Sequence, residues 1–210
     1  MSNKPHQNFQ IHPVHELDSL AKCCLLGAKY HLEKIIELNN QIGMQTLNNS
    51  DLPIDKQKQE SIQIKINQLH WHIRAFFWEL VASFDTILQW INQEYELGIH
   101  ERKVNWCEIK KHNSKNNLLQ ADWSRKKSIL EKAWESEWFY EVRLYRNFAH
   151  RAFQFIQSEY DGDYGKEPST LKKTWLSPAR EGQSDYVDII THLTDYLERM
   201  RGLTNRIFIK

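Results

Sequence analysis

From Ile62 to Ile91 apolar residues return every three or four positions: Ile62, Ile66, Leu69, Ile73, Phe76, Leu80, Phe84, Ile87 and Ile91. At about 100° per residue they line one stripe of an α-helix. The pattern predicts a helix over residues 55–97 that stops near Gly98. A stripe this long cannot bury itself, so the chain needs other long helices to cover it. A second side of the same helix carries Trp71, Trp78, Ala82 and Asp85, which predicts cover on two faces in its middle. An unpaired buried carboxylate is costly. Asp85 is therefore expected either to meet a cation such as Arg143 or His150, or to bond a helix terminus, or to reach the surface.

The covering helices are legible in the same way. Residues 13–40 carry Leu17, Leu20, Cys24, Leu25, Ala28, Leu32, Ile35 and Ile36 in one stripe, with Gly43 as a stop signal. Residues 44–53 are polar and end at Pro53, a connecting loop. Residues 98–122 are polar and irregular around the basic run 110–117, which reads as a solvated loop, with the border of a nucleic-acid site as the alternative. Helix resumes at Trp123 and is expected through Gln157 with one break near Ser136; Ser128 and Glu131 either form a capping box or lie inside that helix. Residues 161–165 form a turn-rich loop whose aspartates lack the spacing of a calcium loop. A short extended segment is predicted at 170–175. The last amphipathic helix is predicted at 184–207, with Val187, Ile190, Leu193, Leu197, Met200 and Leu203 inward. Only 7 glycines and 5 prolines interrupt 210 residues, which favours helices over a turn-rich β architecture. The expectation is an all-α antiparallel bundle of four to five main helices. It forms one domain over 1–210, with a core at 13–205 and a flexible tail at 1–12.

Charge and cysteine usage narrow the function classes. The formal net charge is +1, so any attraction to nucleic acid must come from a local patch. Three cysteines, Cys23, Cys24 and Cys107, make neither a disulfide framework nor a metal set and suit a reducing compartment; Cys107 reads as a minor core residue. No apolar run approaches a membrane span and residues 1–12 are polar, so a cytoplasmic location is expected. Of the eight tryptophans, most are expected to fill inter-helix space or an oligomer interface. Metal binding is poorly supported: His70 and His72 point to different helix faces, and His12 and His15 lack a completing carboxylate or thiolate. These four histidines read as structural or surface residues. There is no phosphate-cradling glycine loop and no nucleophile elbow.

One segment carries chemistry. In the run 141–151, Arg143, Arg146, Asn147 and His150 fall within an arc of roughly 100° on a helix, backed by Val142, Leu144, Tyr145, Phe148 and Ala149. Guanidinium groups offer rigid forks to phosphate oxygens, and imidazole exchanges a proton near neutral pH. The bland alternative is a solvated or salt-bridged face. The spacing Arg143-x6-His150, with Asn147 inside it, resembles the signature of the HEPN superfamily of α-helical domains; only three residues separate Arg146 from His150, one short of that family's usual minimum.

The resemblance implies metal-independent RNA cleavage, with no cofactor. His150 would shuttle protons for attack of a ribose 2′-hydroxyl on the phosphodiester, Arg143 would stabilise phosphate charge, and Asn147 would orient the histidine or bind an oxygen. Arg146 and Asp85 would be substrate-binding neighbours. It further implies a two-fold homodimer with facing motifs, RNA as a partner, a toxin or defence role, and an antitoxin or nucleotidyltransferase alongside. A non-catalytic helical dimerisation or interaction module, one that could bind nucleotide, is the reading from a different class.

Overall fold

The long apolar stripe forms a single helix, α2 (Lys56–Glu94), of 39 residues. The computed structural model describes residues 14–47, 56–148, 156–157, 175–176 and 187–209, and among them the architecture is an all-α antiparallel bundle. The first helix, α1 (Val14–Leu47), runs antiparallel to α2. Ser83 donates its hydroxyl to the Ala21 carbonyl at 3.1 Å near one end of the pair, and His31 meets His72 further along. Leu17, Ala21, Leu25, Ala28, Leu32 and Ile35 of α1 are all buried in the seam. The helices approach closely at Gly27, where a Cβ would come within 2.9 Å of the Glu79 side chain. Gly43 does not end α1, which continues to Leu47. A glycine inside a helix costs about 1 kcal/mol, an amount that burial of the neighbouring Ile42 offsets. Leu20, assigned to the stripe from spacing, is on the exposed side instead, and Ala21 takes its place.

At its far end α2 turns sharply. Glu96 and Gly98 both adopt positive φ, 50° and 74°, and the buried Asn92 side chain clamps the turn. Its amide donates to the Ile99 carbonyl at 2.7 Å and its oxygen accepts from the Ile99 N–H at 3.0 Å. The polar stretch that follows contains a 3-10 turn (Glu101–Lys103) and a one-turn helix, α3 (Trp106–Ile109), capped by Asn105. Trp106 and Ile109 are buried and tether this stretch to the core. Cys107 between them is exposed, contrary to its sequence assignment, because it lies on the outer side of that single turn.

The chain then returns along α2 as α4 (Gln120–Glu135) and α5 (Glu137–Phe148), broken at Ser136 as the sequence predicts. Trp123 lies beside Tyr95, and Trp134 beside Phe84, so α4 is antiparallel to α2. Ser128 sits inside α4 and is no cap. Helix does not extend through Gln157: Ile156–Gln157 is a two-residue strand, β1, paired antiparallel with β2 (Trp175–Leu176), which pairs with β3 (Val187–Asp188). The last helix, α6 (Ile189–Phe208), therefore starts later than predicted, with Asp188 capping it by accepting from the Thr191 N–H at 3.3 Å. Phe208 packs edge-on to Trp90 at 5.0 Å, and Leu193, Leu197, Met200 and Leu203 are buried. Among the described residues no helix is long and apolar enough to cross a membrane. The expectations for residues 1–12, the loop 48–53, the turn 161–165 and the histidines His12 and His150 fall outside the described residues.

A charged network holds the α2–α4 junction. Lys126 is buried, with its ammonium 4.8 Å from the centre of the Trp90 ring and 3.2 Å from Asp122. Tyr95 and Arg125 also donate to the Asp122 carboxylate. Burial pushes that carboxyl up, but the bonds from Tyr95, Arg125 and Lys126 outweigh it and hold it at about 2 against an ordinary 3.8. A carboxyl whose value is depressed on folding contributes stability above its unfolded value and loses it as pH falls through the folded one. Stability measured by urea unfolding is therefore expected to drop between about pH 4 and pH 2 in the wild type, following that depression. In Asp122→Asn that acid limb flattens; an unchanged limb would show that the network does not hold the carboxyl down.

Candidate functional site

The motif helix is pinned by its aromatic back. Tyr145 of α5 stacks on Phe77 of α2 with ring centres 4.9 Å apart and planes at 23°, and Phe139 packs on Phe84 at 4.4 Å. Val142 is buried between these contacts. On the α6 side, Tyr196 donates to the Glu141 carboxylate at 2.5 Å, and His192 stands 4.0 Å from the same oxygen. Desolvation, reinforced by Glu141, raises both the Tyr145 and Tyr196 hydroxyls well above the usual phenol range, and Tyr196 keeps its proton as the donor to Glu141. With its back held this way, α5 turns Arg143, Arg146 and Asn147 toward the opposite side.

Those three residues do not share one environment. Arg143 folds back onto the corner between α4 and α5. Its Nη2 donates to the Trp134 carbonyl at 3.1 Å and its Nε to the Phe139 carbonyl at 3.4 Å, while the guanidinium carbon lies 3.7 Å from the centre of the Trp134 indole. The last carbonyls of a helix lack intrahelical partners and carry its negative dipole end. Arg143 thus caps α4 and covers its indole. Burial lowers its affinity for the proton somewhat, but an arginine stays charged.

Arg146 reaches the other way, over α2, with its guanidinium 5.8 Å from the centre of the Trp78 ring. Its charge is also felt by Asp85. Asp85 is exposed, the surface alternative among its sequence expectations; crowding by nearby protein atoms raises its carboxyl, and the Arg146 charge opposes that rise. Asp85 is thus electrostatically linked to Arg146, and not to Arg143 as one sequence expectation had it. Asn147, next along α5, is exposed. His150 lies outside the described residues, so the structure brings together Arg146, Trp78 and Asp85, with Asn147 alongside, and sets Arg143 apart as a brace.

The second face of α2 is not covered as the sequence suggested. Trp71 and Trp78 remain 58% and 46% exposed, and Ile64 57%. Beside Trp71 is a cluster that sequence reasoning missed: the Nδ1 atoms of His31 and His72 lie 2.9 Å apart across the α1–α2 seam, with Tyr30 and Trp71 edge-on to the imidazoles. Burial lowers both imidazoles first; His72 then depresses His31, and the Lys34 charge depresses His72. No local pattern joins residues 41 apart, so only the helix pairing reveals them. Among the described residues no group of three or more histidine, cysteine, aspartate or glutamate side chains could hold a metal ion.

Compared with family models, curated proteins and solved structures, the chain matches none of them.

The geometry separates the two arginines by experiment. Arg143→Ala is expected to lower unfolding stability by about 1–2 kcal/mol, since it uncaps α4 and strips its indole contact. Arg146→Ala, half-exposed at the rim, is expected to change it by less than about 0.5 kcal/mol. Urea melts of both variants test this, and equal losses would remove the distinction.

Proposed function

We propose that this chain is a HEPN-type RNA-binding protein and a metal-independent endoribonuclease, working as a toxin or defence effector. The observation that carries the reading is the arrangement around Arg146. A guanidinium sits on a helix locked by aromatic packing, with an exposed amide, Asn147, next to it and His150 three residues after that amide in the sequence. RNA cleavage by the neighbouring 2′-hydroxyl needs a proton carrier and charge stabilisation at the phosphate, each worth orders of magnitude in rate. In this reading His150 carries the proton. Arg146 is the better-placed arginine for the phosphate, because the Arg143 guanidinium is already engaged by the Trp134 carbonyl and indole. Asn147 orients the histidine or binds a phosphate oxygen, and Asp85 is a substrate-binding neighbour. One histidine serves poorly as both acid and base, so a two-fold homodimer with facing motifs is part of the proposal, as is a silencing antitoxin or nucleotidyltransferase partner.

A second reading has its own observation. Ile64, Trp71 and Trp78 recur at seven-residue spacing on one exposed side of α2, the kind of face a helical interaction module presents. In that reading the arginine face is structural or holds a nucleotide.

Incubating a mixed RNA with the purified chain in EDTA distinguishes the two. The nuclease reading expects products ending in 2′,3′-cyclic phosphate, with the rate falling about 10²-fold or more in His150→Ala and about 10²-fold in Arg146→Ala. Absence of cleavage by the wild type, or equal cleavage by wild type and His150→Ala, favours the interaction module.

A further inference from the structure

The His31–His72 pair is not used by the proposed activity, and it joins two helices through their imidazoles. The rings come from different helices, yet their Nδ1 atoms converge to 2.9 Å. Two imidazole nitrogens bound at about 2.0–2.1 Å to one metal ion stand ~2.9 Å apart when they subtend a right angle and ~3.4 Å apart in a tetrahedron. The observed 2.9 Å is the length of an N–H···N hydrogen bond between the two rings, and the same separation also spans the right-angled bite of ions that favour tetragonal coordination by nitrogen ligands. We propose that His31 and His72 form a two-imidazole chelate for a divalent transition metal of the Cu2+ or Ni2+ kind, clamping α1 to α2.

The surroundings fit this use. Both imidazoles are half-buried, so solvent can reach the open coordination positions and supply water ligands. Tyr30 and Trp71 wall the pair, with Trp71 4.8 Å from the His72 ring and 5.6 Å from the His31 ring. These rings restrict how far either imidazole can swing. The nearby Glu37 carboxylate is engaged with Lys34 at 2.6 Å and Gln41 at 3.1 Å, so the site has two protein ligands and moderate affinity. Without metal, one Nδ1–H donates to the other Nδ1. On binding, the donor ring shifts that proton to its own Nε2 through solvent, and both Nδ1 lone pairs face the ion with no net proton change on the protein. The proposal is independent of the RNA reading.

The full chain, freed of any affinity tag and stripped with chelator, is titrated with Cu2+ and separately with Ni2+ by calorimetry, fluorescence and thermal melting. The expected result is one site of micromolar affinity, a melting temperature raised by several degrees at saturation, and tryptophan quenching dominated by Trp71. His31→Gln and His72→Gln each weaken binding at least tenfold, whereas His112→Gln on the distant loop leaves it unchanged. Trp71→Phe keeps the calorimetric binding but loses most of the quenching. A readout that needs no variant is acylation of histidines by diethyl pyrocarbonate, mapped by peptide mass: Ni2+ should protect His31 and His72 together. Equal affinity in the His31 and His72 variants, or acylation of both rings undiminished by metal, overturns the proposal.

Discussion

The contacts of Phe77 with Tyr145 and of Phe84 with Phe139 are where the motif helix is fixed to the bundle. The two phenylalanines stand seven residues apart on α2, two helical turns, and so share one side of it. Their partners stand six apart on α5 in reverse order, which sets α5 antiparallel and fixes its rotation. Large aromatic pairs contribute beyond their buried area because edge and face must fit, so rotating α5 by one residue would forfeit both. Everything the motif can do follows from that rotation. With Tyr145, Phe139 and Val142 inward, the arginines and Asn147 have only the outer side to occupy.

The break at Ser136 is the second constraint. A straight continuous helix from Gln120 to Phe148 could not keep both Trp123 against Tyr95 and Tyr145 against Phe77, because Trp123 and Tyr145 lie further apart along the chain than their partners Tyr95 and Phe77. Ser136 takes an extended conformation, and its hydroxyl bonds the Ala133 carbonyl at 2.5 Å. The corner leaves carbonyls at the end of α4 in need of donors, and Arg143 supplies them. An arginine at helical spacing from a histidine is therefore answering a structural need that arises nine residues upstream, at Trp134.

Much of the architecture was legible because burial in long helices writes a strong period into the chain. The α2 stripe, the interruption at Ser136 and the inward set of α6 all follow from it. The failures have a common cause as well. Gly43 and Leu20 are positions where a local signal competed with packing, and packing won. Trp71 and Trp78 read as covered because tryptophan is usually buried, yet whether a partner helix covers them is a tertiary fact. The same limit applied to the site. Spacing put Arg143 and Arg146 on one arc, but the length and flexibility of arginine let them turn to different neighbours, one to a carbonyl and an indole and one toward α2. His31 and His72 were out of reach of any local argument, since only the pairing of α1 with α2 makes them neighbours.

A chain of net charge +1 offers no broad field to draw in a polyanion, so the proposed site must work through local charge. Arg146 lies in the last turn of α5, where the helix dipole favours a cation. The Trp78 ring nearby replaces part of its water with a polarisable surface. Both effects hold the guanidinium in place without neutralising it. Asp85 tempers its charge from a distance and itself resists ionisation through crowding. A guanidinium held in place but not neutralised favours brief, geometry-dependent contact over tight nonspecific binding, as the proposed cleavage of RNA by a chain of near-zero net charge would require.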